Sequence, residues 1–197
     1  MRTWILATLI AASASGQSTV YRWTGPDGSV RASNSLAAIP EGYRSSAVEM
    51  KVVNIRQEHV EHEPKGFAKG KATIGFTPSG RRIEAQAIFN GRASRMAIMD
   101  TGSDMVAITT KLARALGYDT AKSRKTWVTT SSGRVQVPVV LLKNVKVGGA
   151  EAFGVQAVVM DFEGRGPVSA LMGMNFLSLF VFEIDSGGGT MTLVAPN

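Results

Sequence analysis

From Gly66 onward the chain is a series of short apolar–polar alternations cut by glycine turns, and this spacing constrains the fold more than any other feature. Seventeen of the 21 glycines lie in that stretch, so the turns are too closely spaced for long helices. Lys71 to Phe76 alternates and ends at Thr77-Pro78-Ser79-Gly80. Arg82 to Phe89 alternates again and runs into Asn90-Gly91, the strongest short hairpin signal. Ser94 to Met99 is the next strand. Trp127–Thr130 and Arg134–Val139 flank Ser131-Ser132-Gly133 as a further hairpin. Val140–Val147 and Phe153–Met160 flank Gly148-Gly149. Ser169–Met174, Phe180–Asp185 and Thr190–Val194 complete the strands. Two short helices are expected: Lys111–Leu116, capped by Thr109 or Thr110 and closed by Gly117, and Asn175–Leu179. The reading is an all-β domain of roughly 130 residues with one or two short helices.

The first residues read as a secretory signal. Arg2 supplies a positive start, Trp4 to Ala12 is apolar except for Thr8, and Ala12-Ser13-Ala14-Ser15-Gly16 offers a small-residue cleavage site. Nine residues are too few to span a bilayer, which needs ~20. The expectation is an exported protein, held at a membrane only if this segment stays uncut. With no Cys, the chain has no disulfide framework, thiolate metal site or cysteine nucleophile. Its two histidines, His59 and His62, lie in a polar stretch and read as solvated, so no metal or cofactor is expected. The net charge is +7, but the basic residues are scattered and not interleaved with aromatics, so nucleic acid is not the expected partner. A basic surface that meets anionic envelope polymers fits better.

Four segments follow: a signal over 1–16, a small hairpin module over 17–45, a linker over 46–66, and the β domain over 67–197. The module is read from Val20-Tyr21-Arg22-Trp23, the turn Gly25-Pro26-Asp27-Gly28, and Ser29-Val30-Arg31-Ala32. It resembles the N-terminal hairpin module of many exported bacterial proteins. A lone hairpin is marginal in water.

The chemistry concentrates at one point. The apolar run Ala97-Ile98-Met99 delivers Asp100 into the turn Thr101-Gly102-Ser103, after which Met105 to Ile108 is apolar again. A carboxylate half-buried there needs donors, because burying it unpaired costs several kcal/mol. The Thr101 hydroxyl and the N–H groups of Gly102 and Ser103 are the available ones. Taken alone, the same residues also fit a simple Asx turn at a strand end.

Asp100-Thr101-Gly102-Ser103 resembles the active-site motif of aspartic proteases. Ala170-Leu171-Met172-Gly173-Met174-Asn175-Phe176-Leu177 resembles the second motif of the retropepsin-like family, two apolar residues and Gly before a short helix. Thr129-Thr130-Ser131-Ser132-Gly133 lies between them, where that family has its flap. The order and spacing agree over roughly residues 68 to 195, with Met99 a mild departure from the smaller or branched residue usual before the Asp.

The resemblance implies a closed β-barrel-type lobe and an aspartic endopeptidase with Asp100 as catalytic acid. It implies support from Thr101, Gly102 and Ser103, and substrate main-chain binding by a flap at Thr130, Ser131, Ser132 and Gly133. It makes Leu171, Met172 and Gly173 the second motif. Two carboxylates must share a proton and a water, and roughly 130 residues supply one lobe. A homodimer acting on peptide or protein substrates is therefore implied, with Thr101 of each copy bonding across the axis. In the same chain, Asp185-Ser186-Gly187 is a formal competitor but reads as a hairpin turn. Asp104 is expected to point away from the site, and Asp161 and Glu163 to be solvated. The expected place is the bacterial periplasm. The competing reading is a noncatalytic, monomeric envelope-binding protein of the same fold. A third is a zymogen-like arrangement in which residues 17 to 66 shield the groove.

Overall fold

The computed structural model describes residues 19–51, 66–68, 70–78, 82–130, 133–162 and 167–196. The signal expected over 1–16, the two histidines, Ser131, Ser132 and Glu163 lie outside the described residues. The fold is all-β, as expected. In chain order the elements are β1 (Thr19–Thr24), β2 (Val30–Ser33), α1 (Glu41–Arg44), β3 (Val48–Lys51), β4 (Gly66–Ala68) and β5 (Lys71–Gly75). Then come β6 (Ile83–Phe89), β7 (Ala93–Met99), β8 (Val106–Ile108), α2 (Thr110–Ala115), β9 (Lys125–Thr130) and β10 (Gly133–Val147). The chain ends with β11 (Ala150–Val159), β12 (Ala170–Met172), α3 (Met174–Leu177), β13 (Val181–Asp185) and β14 (Thr190–Val194). No helix among the described residues is long and apolar enough to cross a membrane.

The larger sheet runs β4-β11-β8-β12-β7-β6-β10-β9, and β10 also pairs with β11. That extra pairing closes β11, β8, β12, β7, β6 and β10 into a barrel, which removes their free edges. The turns behave as the glycine spacing predicts. Asn90 (φ 54°) and Gly91 (φ 63°) both take the left-handed conformation that a two-residue hairpin needs. The Asn90 amide then pins the turn, accepting from the Lys143 N–H at 2.8 Å and donating to the Tyr118 hydroxyl at 3.0 Å. Helix α2 starts where expected, with Thr109 Oγ1 accepting from the Leu112 N–H at 3.2 Å. Gly117 follows its end at φ 86°.

Period-two alternation sorts the barrel side chains into two apolar layers. Met99, Ile108, Met172, Val155 and Ala157 belong to the main core, together with Phe176, Phe180 and Phe182. Those three phenylalanines are all but fully buried, and burying each is worth ~2–3 kcal/mol. Ile98, Ala107, Val158 and Leu171 belong to a second layer, which Val128 of β9 and Val137 of β10 join.

Two expectations change. The strand split between Val139 and Val140 is one continuous element, β10, that exchanges partners: β9 up to Pro138, then β11 from Val139. Pro138 sits at that change, where its missing N–H breaks no continuing ladder. The beginning of the stretch expected as a linker over 46–66 is a strand, β3, paired with β1 in register Tyr21↔Glu49. It is an edge strand with Val48, Glu49 and Met50 all exposed, so it has no buried face to write a period into the sequence.

Candidate active site

Two segments far apart in sequence are brought together by strand β12. It lies between β7 and β8, parallel to the first and antiparallel to the second. The strands that enter and leave the Asp100 turn therefore flank the strand of the second motif. The register Leu171↔Ile98 and Met172↔Met99 continues one step further, because the Asp100 N–H donates to the Met172 carbonyl at 3.0 Å.

Gly173 is where the two backbones touch. A Cβ there would lie 2.3 Å from the Met105 carbonyl oxygen and 2.8 Å from the Met105 nitrogen. No side chain fits against backbone at that range, so the glycine of the expected second motif has a steric reason here. Beyond it, the Met174 N–H donates to the Ser103 carbonyl at 2.7 Å and the Asn175 N–H to the Asp104 carbonyl at 2.9 Å. The first turn of α3 thus holds the outgoing half of the Asp100 turn.

The Asp100 carboxylate is half-buried and doubly held. Oδ1 accepts from the Gly102 N–H at 3.0 Å and Oδ2 from the Ser103 hydroxyl at 2.8 Å. One expected donor differs: the Ser103 N–H goes to the Asp100 carbonyl at 3.3 Å, as the closing bond of the turn, and its hydroxyl takes the place on the carboxylate. Thr101 is half-buried beside it.

Asn175 is the residue that sequence reasoning missed. Its Oδ1 accepts from the Val106 N–H and its Nδ2 donates to the Gln156 carbonyl, each at 2.8 Å. One amide thereby ties α3 to β8 and β11. The available signal was a polar side chain two residues after the Gly of the apolar–apolar–Gly segment, amid apolar neighbours, since an amide taken out of water must be satisfied.

The hairpin expected as a flap is β9–β10. Its register runs from Pro138↔Lys125 to Gly133↔Thr130. Gly133 has φ 119°, and the Thr130 hydroxyl donates to its carbonyl at 2.9 Å. The hairpin's inner residues, Val128 and Val137, pack on the layer of Ile98 and Leu171. On its outer face the Arg134 guanidinium lies 5.0 Å from the Trp127 ring centroid.

The remaining acids separate by environment. Asp185 is a turn residue: Oδ1 accepts from the N–H groups of Gly187 and Gly188 at 3.1 and 3.0 Å, and Oδ2 meets Arg31 Nη2 at 3.2 Å. Asp161 is exposed, yet its Oδ1 accepts from the Thr110 N–H at 2.9 Å and so adds a second cap to α2. Asp104 is half-buried, and desolvation raises its carboxyl above the ordinary value.

Comparison with known proteins agrees with this geometry. Residues 85–176, which include Asp100 and Gly173, match the aspartyl protease family model. Residues 6–64 match a domain family of unknown function, DUF4124. No curated protein matches the chain. Among solved structures, a retropepsin-like aspartic protease from Rickettsia conorii matches with a TM-score of 0.51 and 23% identity, over 66% of this chain and 94% of that one. Its identity is low enough that the match speaks for fold, while the family model speaks for the residues around the acid. The chain thus matches the aspartyl protease family model around the acid and has a retropepsin-like fold.

Proposed function

We propose that the protein is an exported aspartic endopeptidase in which Asp100 of two copies forms one site. The observation that carries the reading is the Asp100 turn. A carboxylate stands at the end of β7, fixed through both oxygens and braced from behind by the Met172 carbonyl and the first turn of α3. That arrangement presents a rigid acid, and one carboxylate per chain is half of the chemistry. Two such acids close together cannot both ionise, so they retain one proton between them. The ionised member takes a proton from the water between them, and the water attacks the peptide carbonyl. The protonated member polarises that carbonyl and then helps protonate the leaving nitrogen.

In this reading Thr101 bonds to its mate across the two-fold axis. Substrate lies extended beneath the β9–β10 hairpin, its main chain held by the backbone at Thr130–Gly133 and its side chains near the apolar layer of Ile98 and Leu171. Localisation in the periplasm rests on the N-terminal sequence. The test is Asp100→Asn, assayed against an unstructured protein such as casein. Loss of cleavage with unchanged melting and assembly is expected. Cleavage at the parent rate by Asp100→Asn would remove the proposal. A parent chain that is strictly monomeric and cuts nothing would favour the noncatalytic binding reading.

A further inference from the structure

The smaller sheet has the order β3-β1-β2-β13-β14-β5, so strands from both ends of the chain share it. β13 emerges from α3, and it has β14 on one side and β2 of the N-terminal module on the other. The β2 ladder covers only Glu183 to Asp185, paired with Ser33 to Arg31. The front of β13 is met differently. Asn34 accepts from the Phe182 N–H at 2.9 Å and donates to the Phe180 carbonyl at 2.7 Å. One side-chain amide thus satisfies the two backbone groups that a longer β2 would have paired. At the other end the Ser186 N–H donates to the Val30 carbonyl at 3.1 Å and Arg31 meets Asp185 at 3.2 Å. The contact is apolar as well: Val20 belongs to the main core, and Ala32 packs against it.

An uncovered edge of this composition, Val-Phe-Glu-Ile-Asp, pairs readily with any other strand, and in a protein that works as two copies the nearest candidate is its own mate. We propose that the N-terminal module is a resident edge cap: it stays docked on β13 in the working protein and denies that edge to a second copy. This differs from a propeptide that leaves before the protein works. Among the described residues, the module's hydrogen bonds to the protease domain run to Phe180, to β13 and to the turn after it, rather than to the Asp100 turn.

The test is a reversible clamp in the full chain, which has no cysteine of its own. Ala32 and Ile184 are directly opposed across β2 and β13, a separation that a disulfide bridges. The variant Ala32→Cys with Ile184→Cys is compared oxidised and reduced by sedimentation and by casein cleavage. The cap predicts no shift in sedimentation and no loss of cleavage on oxidation. Loss of the assembly or of cleavage on oxidation, restored by reductant, would overturn it. A second variant, Asn34→Ala with Arg31→Ala, loosens the cap; it is expected to gain a concentration-dependent associated species. Sedimentation identical to the parent would overturn the proposal. The cleavage readout and the premise of two working copies rest on the proposed function; the associated species gained on loosening the cap decides the cap even where no peptide is cut.

Discussion

Ser103 and Gly102 decide how firmly Asp100 is aimed, because each holds a different carboxylate oxygen. Ser103→Ala removes one donor and leaves the backbone unchanged. Stability should fall by about 1 kcal/mol, the net worth of one hydrogen bond. If orientation matters to the proposed chemistry, cleavage should slow by about tenfold, equivalent to ~1.4 kcal/mol of barrier. Parallel melting and cleavage assays separate the two effects. Gly173→Ala is a harsher change, since its methyl would meet backbone at 2.3 Å. We expect a loss of more than ~2 kcal/mol in denaturant titrations, with the strands around Met105 forced apart. Asp104 gives a pH-dependent case. Its folded carboxyl binds a proton more tightly than the unfolded one at 3.8, so charging it penalises the native state as pH rises from that value through the folded one. Asp104→Asn should therefore raise the melting temperature at pH 7 and leave it unchanged near pH ~3, below both values. An equal shift at both pH values would contradict the desolvation account.

At the level of elements, α3 is short but holds the site from two directions, through its first N–H groups and through Asn175. Asn175→Ala leaves the Val106 N–H and the Gln156 carbonyl without their side-chain partner, at about 1–3 kcal/mol for each group left unsatisfied. Differential scanning calorimetry checks this, and an unchanged melting temperature would count against it. The hairpins were the most legible part of the sequence. Asn-Gly and the Gly-rich turns encode local backbone conformations that few other residues adopt, and alternating strands beside them have only one register that buries an apolar face. The edge strand β3 and the continuity of β10 were not legible, because an exposed edge carries no period and a change of partner leaves no mark in alternation. The Asp100 turn was legible through its residues. The Asn175 ties were not, since they depend on which strands β12 comes to lie between.

At the scale of the whole molecule, the N-terminal hairpin looked separable because a lone hairpin is marginal and its link to the rest looked polar. It is instead built into the sheet that contains β13 and β14. Nothing in residues 17–45 alone names that partner, because strand pairing across more than 140 residues is specified by the shape of the finished domain. The proposed dimer belongs to this scale too, and the mixing of subunits tests it most directly. Parent protein is combined with an increasing excess of Asp100→Asn, allowed to exchange, and assayed for cleavage. If one site needs two intact Asp100 carboxylates, random pairing leaves about one dimer in four active at an equal mixture, and activity per parent subunit falls by about half. Activity per parent subunit that stays constant across the titration would contradict the account.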